Sequence, residues 1–186
     1  MLGFILAVVY SAGRVESEFM DSDLERLKGA IASATHGMSG EGLTRHAEGK
    51  WSVAGILEHL YLSYTGTTKG FQRCLEAGKP LATSSTVKQK VMIFYVVNCG
   101  RFPSGRKAPK NTQPRGLPLE KIVTDVAVQI MAMDEAITKC EERYGKRTKL
   151  VDHPILGPFT AHQWRKFHWV HGRHHVKQIL KLRGRS

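Results

Sequence analysis

The sequence predicts a single all-α domain built as a four-helix bundle. Four stretches keep an apolar period of about 3.6 residues through several turns, and glycines, prolines and capping residues punctuate their ends. No stretch alternates apolar and polar residues as a half-buried strand does. At 186 residues and 41% hydrophobic content, the chain is long and apolar enough to bury one core.

The first helix is expected from Ser22, where Ser22 and Glu25 form a capping-box pattern. Leu24, Leu27 and Ile31 share its apolar face, and it ends before Gly37. Residues 37–50 read as a loop. Ser52 then caps a long helix to about Ala77, with Val53, Ile56, Leu57, Leu60, Tyr64, Phe71 and Leu75 at helical spacing and Gly78 and Pro80 as its stop. Residues 87–98 are apolar and read as helix, although their Val, Ile, Phe and Tyr content also suits a strand.

Residues 99–118 hold four prolines, three glycines and five basic residues, and read as a loop inside the domain. Pro118 suits the first turn of a third long helix, in which Leu119, Ile122, Val126, Ile130, Met133, Ile137 and Cys140 keep the period to Tyr144 before Gly145. A loop with Pro154 and Pro158 follows. Thr160 and Gln163 form a capping box for the last helix, which runs to about Arg183.

The domain is thus expected over residues 21–183. Residues 1–19 are expected to be a weakly structured extension. Their apolar run Leu2–Tyr10 is too short to span a bilayer, and without a preceding Lys or Arg it makes a poor signal peptide, although the small residues after it keep a secretory leader as the competing reading. Cys74, Cys99 and Cys140 are odd in number and far apart; they read as small buried hydrophobes, and a cytoplasmic, reducing setting is expected. The formal charge of +12 admits polyanionic partners, but no zinc-finger spacing and no RNA-binding aromatic signature accompanies it, so nucleic acid is not the expected partner.

The histidines carry the chemistry. Four of nine lie within His168–His175 on the last helix. At about 100° per residue, Trp164, His168, His171, His175, Ile179 and Leu182 share one narrow sector, while Arg165, Lys166, Arg173 and Lys177 lie mainly away from it. His171 and His175 are one turn apart, so both imidazoles can reach one ion; alternatively each is a core histidine with its own hydrogen-bond partner. His174 points to the flank. His59 on the second helix lies on a seam with Ser52, Gly55, Ser63, Gly66 and Gly70, which permits either close helix packing or a cavity. His36, His46, His153 and His162 are expected to face solvent. Gln178 reads as a partly exposed polar residue within reach of the rim of such a site.

Trp51-Ser52, Ile56-Leu57-Glu58-His59-Leu60 and the tail His171-Gly172-Arg173-His174-His175-Val176-Lys177-Gln178-Ile179 resemble the DinB-like superfamily. The "H-x-x-H-H-x-x-Q-I" tail is the most specific part, and the resemblance covers roughly residues 21–183. Gln163 to His168 matches a branch in which "Q-W-x-K-F-H" precedes that tail. The resemblance implies an up-down-down-up four-helix bundle, often a homodimer, with a divalent metal held by His59, His171 and His175. It also implies a reaction of the kind run by thiol-dependent transferases and isomerases using bacillithiol or mycothiol, although many members have no known reaction.

Three neutral imidazoles without a carboxylate suit zinc or nickel and leave a position for water or substrate. An H-E-x-x-H protease is excluded, because Gly172 stands where its glutamate would be. The leading expectation is a metal-dependent enzyme acting on a small molecule, with a low-molecular-weight thiol as cosubstrate and no assignable general base. A non-catalytic metal- or ligand-sequestering bundle competes with it. A basic protein binding nucleic acid or phosphate through residues 99–118 is the third class.

Overall fold

The computed structural model describes residues 21–184 apart from 103, 104 and 106, so the expected N-terminal extension lies outside the described residues. Among those described, the chain is mostly helical. The helices are α1 (Ser22–Thr35), α2 (Gly40–Thr44), α3 (Val53–Glu76), α4 (Val87–Ile93), α5 (Leu119–Tyr144) and α6 (Ala161–Arg183). A π-helical turn (Phe94–Asn98) continues α4, and a 3-10 turn (Lys110–Thr112) interrupts the long loop. One antiparallel hairpin, β1 (Val151–His153) and β2 (Gly157–Phe159), pairs Val151 with Phe159.

Several caps act as the sequence suggests. Ser52 accepts from Gly55 N–H at the start of α3, and Thr160 and Gln163 form a reciprocal box at the start of α6. The first helix departs from expectation. Asp21, not Ser22, is its cap: the Asp21 carboxylate accepts from Asp23 N–H, while the Asp21 N–H donates to Asp134 Oδ2 at 2.8 Å. Aspartate caps as well as serine does, and the tie to Asp134 fixes the cap one residue earlier. Residues 87–98 are helical throughout, starting from a Thr86–Gln89 capping box. Cys74 and Cys140 are buried, but Cys99 is exposed, against expectation, at the end of the π-helical turn.

Two elements escaped the sequence reading. The five-residue α2, capped by Ser39, is too short to show a period, and the hairpin falls where only a loop was expected. Three-residue strands carrying Pro158 give almost no strand signal. Gly157, at φ +82°, lies against Gln89 of α4; a Cβ there would sit 2.6 Å from the Gln89 Cδ. That contact ties the hairpin to α4.

Contacts along the long helices fix their directions. Lys121 lies over the Tyr61 ring, Gln129 Nε2 donates to Thr68, and Tyr144 donates to the Cys74 carbonyl, so α3 and α5 run parallel. Lys166 pairs with Asp23, and Arg183 donates to the Ala34 carbonyl, so α1 and α6 run parallel as well. Phe71 meets Trp164 and Thr67 meets His168, which makes α3 and α6 antiparallel. Leu24, Leu27, Leu57, Leu60, Ile130 and Ile137 are fully buried where these helices meet. Gly172 lets α6 approach α1 closely, since a Cβ there would lie 2.3 Å from Leu27 Cδ1.

Arg165 also departs from expectation, being buried rather than turned away from the core. Its Nε donates to Asp134 Oδ1 at 2.7 Å, Nη1 to Glu141 Oε2 at 2.6 Å and Nη2 to Thr138 Oγ1 at 2.8 Å. A guanidinium can be buried when its donors meet acceptors in this way. No helix among the described residues is long and apolar enough to cross a membrane.

Candidate metal centre

Three histidines from two antiparallel helices meet near one end of the fold. His59 stands in the second turn of α3, and His171 and His175 stand one turn apart on α6; all three are buried. His59 Nε2 lies 3.1 Å from His171 Nε2, and His175 Nε2 lies 3.0 Å from the same atom. All three candidate ligand atoms fall within 4.8 Å of one another. Nitrogens held about 2.0–2.1 Å from a shared ion at tetrahedral angles would be about 3.3 Å apart, close to the two separations from His171.

The outer ring nitrogens determine which inner ones are bare. His59 Nδ1 lies 2.8 Å from the Thr112 carbonyl, which can only accept, so Nδ1 carries the proton and Nε2 presents a lone pair. His175 Nδ1 donates to Gln178 Oε1 at 2.8 Å with the same result, and Gln178 Nε2 donates onward to His174 Nε2. His171 Nδ1 is buried without a partner. Two bare nitrogens therefore converge on a third with at most one proton among them, an arrangement that a cation relieves.

Burial keeps these rings neutral. It lowers His59 below the usual histidine range, partly offset by the Thr112 carbonyl. Burial and the neighbouring imidazoles hold His171 well below that range. His175 is pushed down to about 3 by burial and then by His59, with Gln178 acting in the opposite direction. Neutral imidazole is the form that binds metal.

Beyond these polar partners, aromatic rings line the cluster. The Phe167 ring stacks on His171 at 5.5 Å, Phe102 lies 5.0 Å from His171, and Trp51 lies 5.2 Å from His59. Trp51 is 37% exposed and stands at the solvent edge of the cluster. Phe102 belongs to the loop between α4 and α5, which Glu58 holds in place. The buried Glu58 carboxylate accepts from the backbone N–H groups of Arg115, Gly116 and Leu117. The same stretch of chain supplies the Thr112 carbonyl to His59.

His168 lies one turn before His171 and is not part of the group. Its Nε2 pairs with Thr67 Oγ1 at 2.9 Å, its ring stacks on Trp164, and burial pushes it down to about 3. His174 is half-buried on the flank, as its position predicts, and His36, His46 and His162 are exposed. His153 differs from expectation. The hairpin turns its ring onto Phe159, Trp164 and Phe167, its Nδ1 accepts from Ile155 and Leu156 N–H, and burial pushes it down to about 4.

The seam of small residues on α3 serves close packing at Gly70 and Gly55. A Cβ on Gly70 would press Val151 at 3.2 Å and one on Gly55 would meet Trp51 and Pro114, whereas Gly66 is exposed and a Cβ there would face open space. The residues that sequence reasoning missed are the supports. Glu58 was legible only as part of a motif, and the Thr112 carbonyl has no side-chain signature.

No curated protein and no solved structure gives a significant match to the chain. A family profile matches residues 17–182 and so spans all three histidines. The chain belongs to the family described as "Protein of unknown function (DUF1569)".

Proposed function

We propose that His59, His171 and His175 bind one divalent first-row metal ion, zinc or nickel, and that the protein is a metal-dependent enzyme of the DinB-like superfamily. The observation that carries this reading is the convergence of three neutral Nε2 atoms, two of them made bare by Nδ1 hydrogen bonds to Thr112 and Gln178. The parallel α1–α6 and α3–α5 pairs are what an up-down-down-up bundle requires, and they support the superfamily reading. The ion, when bound, lowers the pKa of a bound water or cosubstrate thiol and so supplies a nucleophile near neutral pH.

The chain's own part is orientation and exclusion of water. Thr112 and Gln178 fix the imidazole tautomers, and outer partners of this kind set ligand basicity and metal affinity. Phe102, Phe167 and Trp51 wall the cluster with apolar surface, leaving the Trp51 side as the edge open to solvent. Thiol-dependent transfer to a small electrophile, with bacillithiol or mycothiol as cosubstrate, is the reaction class that this site and the superfamily favour together. A homodimer accompanies that reading, and sedimentation equilibrium measures it.

One observation favours a second reading, a non-catalytic metal- or ligand-binding bundle. Glu58, the carboxylate nearest His59 in sequence, has both oxygens occupied by backbone N–H groups and is not free to act as a base. Elemental analysis of untagged protein tests the shared premise: about one metal per chain is expected, and none in His59→Ala. Turnover of a thiol cosubstrate by the loaded protein then separates the two readings. Metal-free protein that cannot be reloaded would remove both.

A further inference from the structure

A second surface, independent of the histidines, stands out by charge and exposure together. Between residues 77 and 119 the chain carries eight Lys and Arg and no Asp or Glu, so this stretch holds +8 of the formal +12. Within it, α4 turns three large apolar side chains outward: Val87 is 78% exposed, Val91 62% and Phe94 60%. At about 100° per residue these three fall within about 60° of one another, with Lys88 and Lys90 to either side. Both lysines are exposed. Ile93, Val96 and Val97 are buried, so the segment is anchored by its opposite face and by Gln89 against Gly157. Tyr95 and Arg101 extend the outer face: Tyr95 is 40% exposed, and its carbonyl accepts from the Arg101 N–H.

We propose that this face docks on an anionic lipid bilayer, with Val87, Val91 and Phe94 entering the interface and Lys88, Lys90 and Arg101 meeting lipid phosphates and carboxylates. An apolar stripe flanked by lysines, with no acid in its own stretch of chain and the nearby Asp152 carboxylate occupied by Thr83, is the arrangement that lies in a bilayer interface. A second copy of the chain fits poorly. A two-fold contact would set the same patch against itself and oppose like charges. A nucleic acid would use the positive charge but leave the exposed Val and Phe side chains in water. The loop that follows α4 carries Phe102 to His171 and the Thr112 carbonyl to His59, so docking would bring the bilayer near the histidine cluster.

Vesicle flotation with the full chain tests this. At low ionic strength, co-flotation is expected with phosphatidylcholine vesicles containing about 30% phosphatidylserine and much less with phosphatidylcholine alone. Lys88→Gln and Lys90→Gln should each weaken partitioning about fivefold. The pair Val91→Asp, Phe94→Asp should weaken it by at least about tenfold. These side chains face solvent, so an unchanged circular dichroism spectrum and Tm are expected for both sets. Three outcomes overturn the proposal: failure to float with anionic vesicles, flotation undiminished by the aspartate pair, or a solution dimer that the aspartate pair dissociates. Tighter binding to duplex DNA than to vesicles, unaffected by the aspartate pair, would assign the charge to phosphodiesters and overturn it equally.

Discussion

The two halves of α6 bury polar side chains in opposite ways. In the first half, Arg165 meets a complement for each group it presents: Asp134, Glu141 and the Thr138 hydroxyl. In the second half, His59, His171 and His175 bring like against like: the His59 and His175 nitrogens each lie about 3 Å from that of His171, with no acid among them. The first arrangement is complete within the chain and has a structural explanation. The second is incomplete within the chain, and we propose that a divalent cation accepting the imidazole lone pairs completes it. Burial of polar groups is therefore not by itself a sign of function; a buried set lacking its complement is.

The comparison breaks most visibly at Arg165. Arg165→Met leaves two carboxylates without their cation, and a loss of about 3–5 kcal/mol is expected by denaturant unfolding, with metal stoichiometry unchanged in protein that still folds. His171→Ala should do the reverse, abolishing metal binding by elemental analysis while leaving the metal-free protein folded. The supports sharpen the contrast. Gln178→Leu removes the acceptor of His175 Nδ1–H, and Glu58→Gln loosens the loop that carries Thr112; each should weaken metal affinity about 10- to 100-fold in a competition titration.

A separate test lies in the pH dependence of stability. Burial holds His168 at about 3 and His153 at about 4, whereas both titrate near 6.5 when unfolded. Their folded pKa values are depressed, so the unfolded chain binds more protons between these limits and stability falls as pH falls below 6.5. Each adds a loss of about 1.4 kcal/mol per pH unit until its folded pKa is reached. Metal-free His153→Phe protein should show a shallower fall in Tm between pH 6 and about 4 than the parent.

Much of this was legible in the sequence, for definable reasons. The long helices announce themselves because each turns a continuous stripe of Leu, Ile and Val to the core, and Thr160–Gln163 marks the start of α6 with two side chains. The three histidines could be picked out because two share an i, i+4 spacing on a buried face and the third stands on a small-residue seam. The supports could not. Arg165 looks like a surface residue on its own helix, since the Asp134 and Glu141 that admit it to the interior belong to another. His153 becomes partly enclosed only through a hairpin whose strands are too short to leave a pattern. Glu58 acts on backbone N–H groups nearly 60 residues away, and neither partner has a recognisable spacing.

Gly172 sits between the two histidines of α6, with Leu27 of α1 lying where its side chain would be. A larger residue there would have to displace the Leu27 side chain or part the two helices. A glutamate at that position, where a zinc hydrolase of the H-E-x-x-H type carries its base, therefore meets a filled space rather than a cavity. Room for a further polar group at the cluster lies instead toward its solvent edge at Trp51, away from the α1–α6 contact.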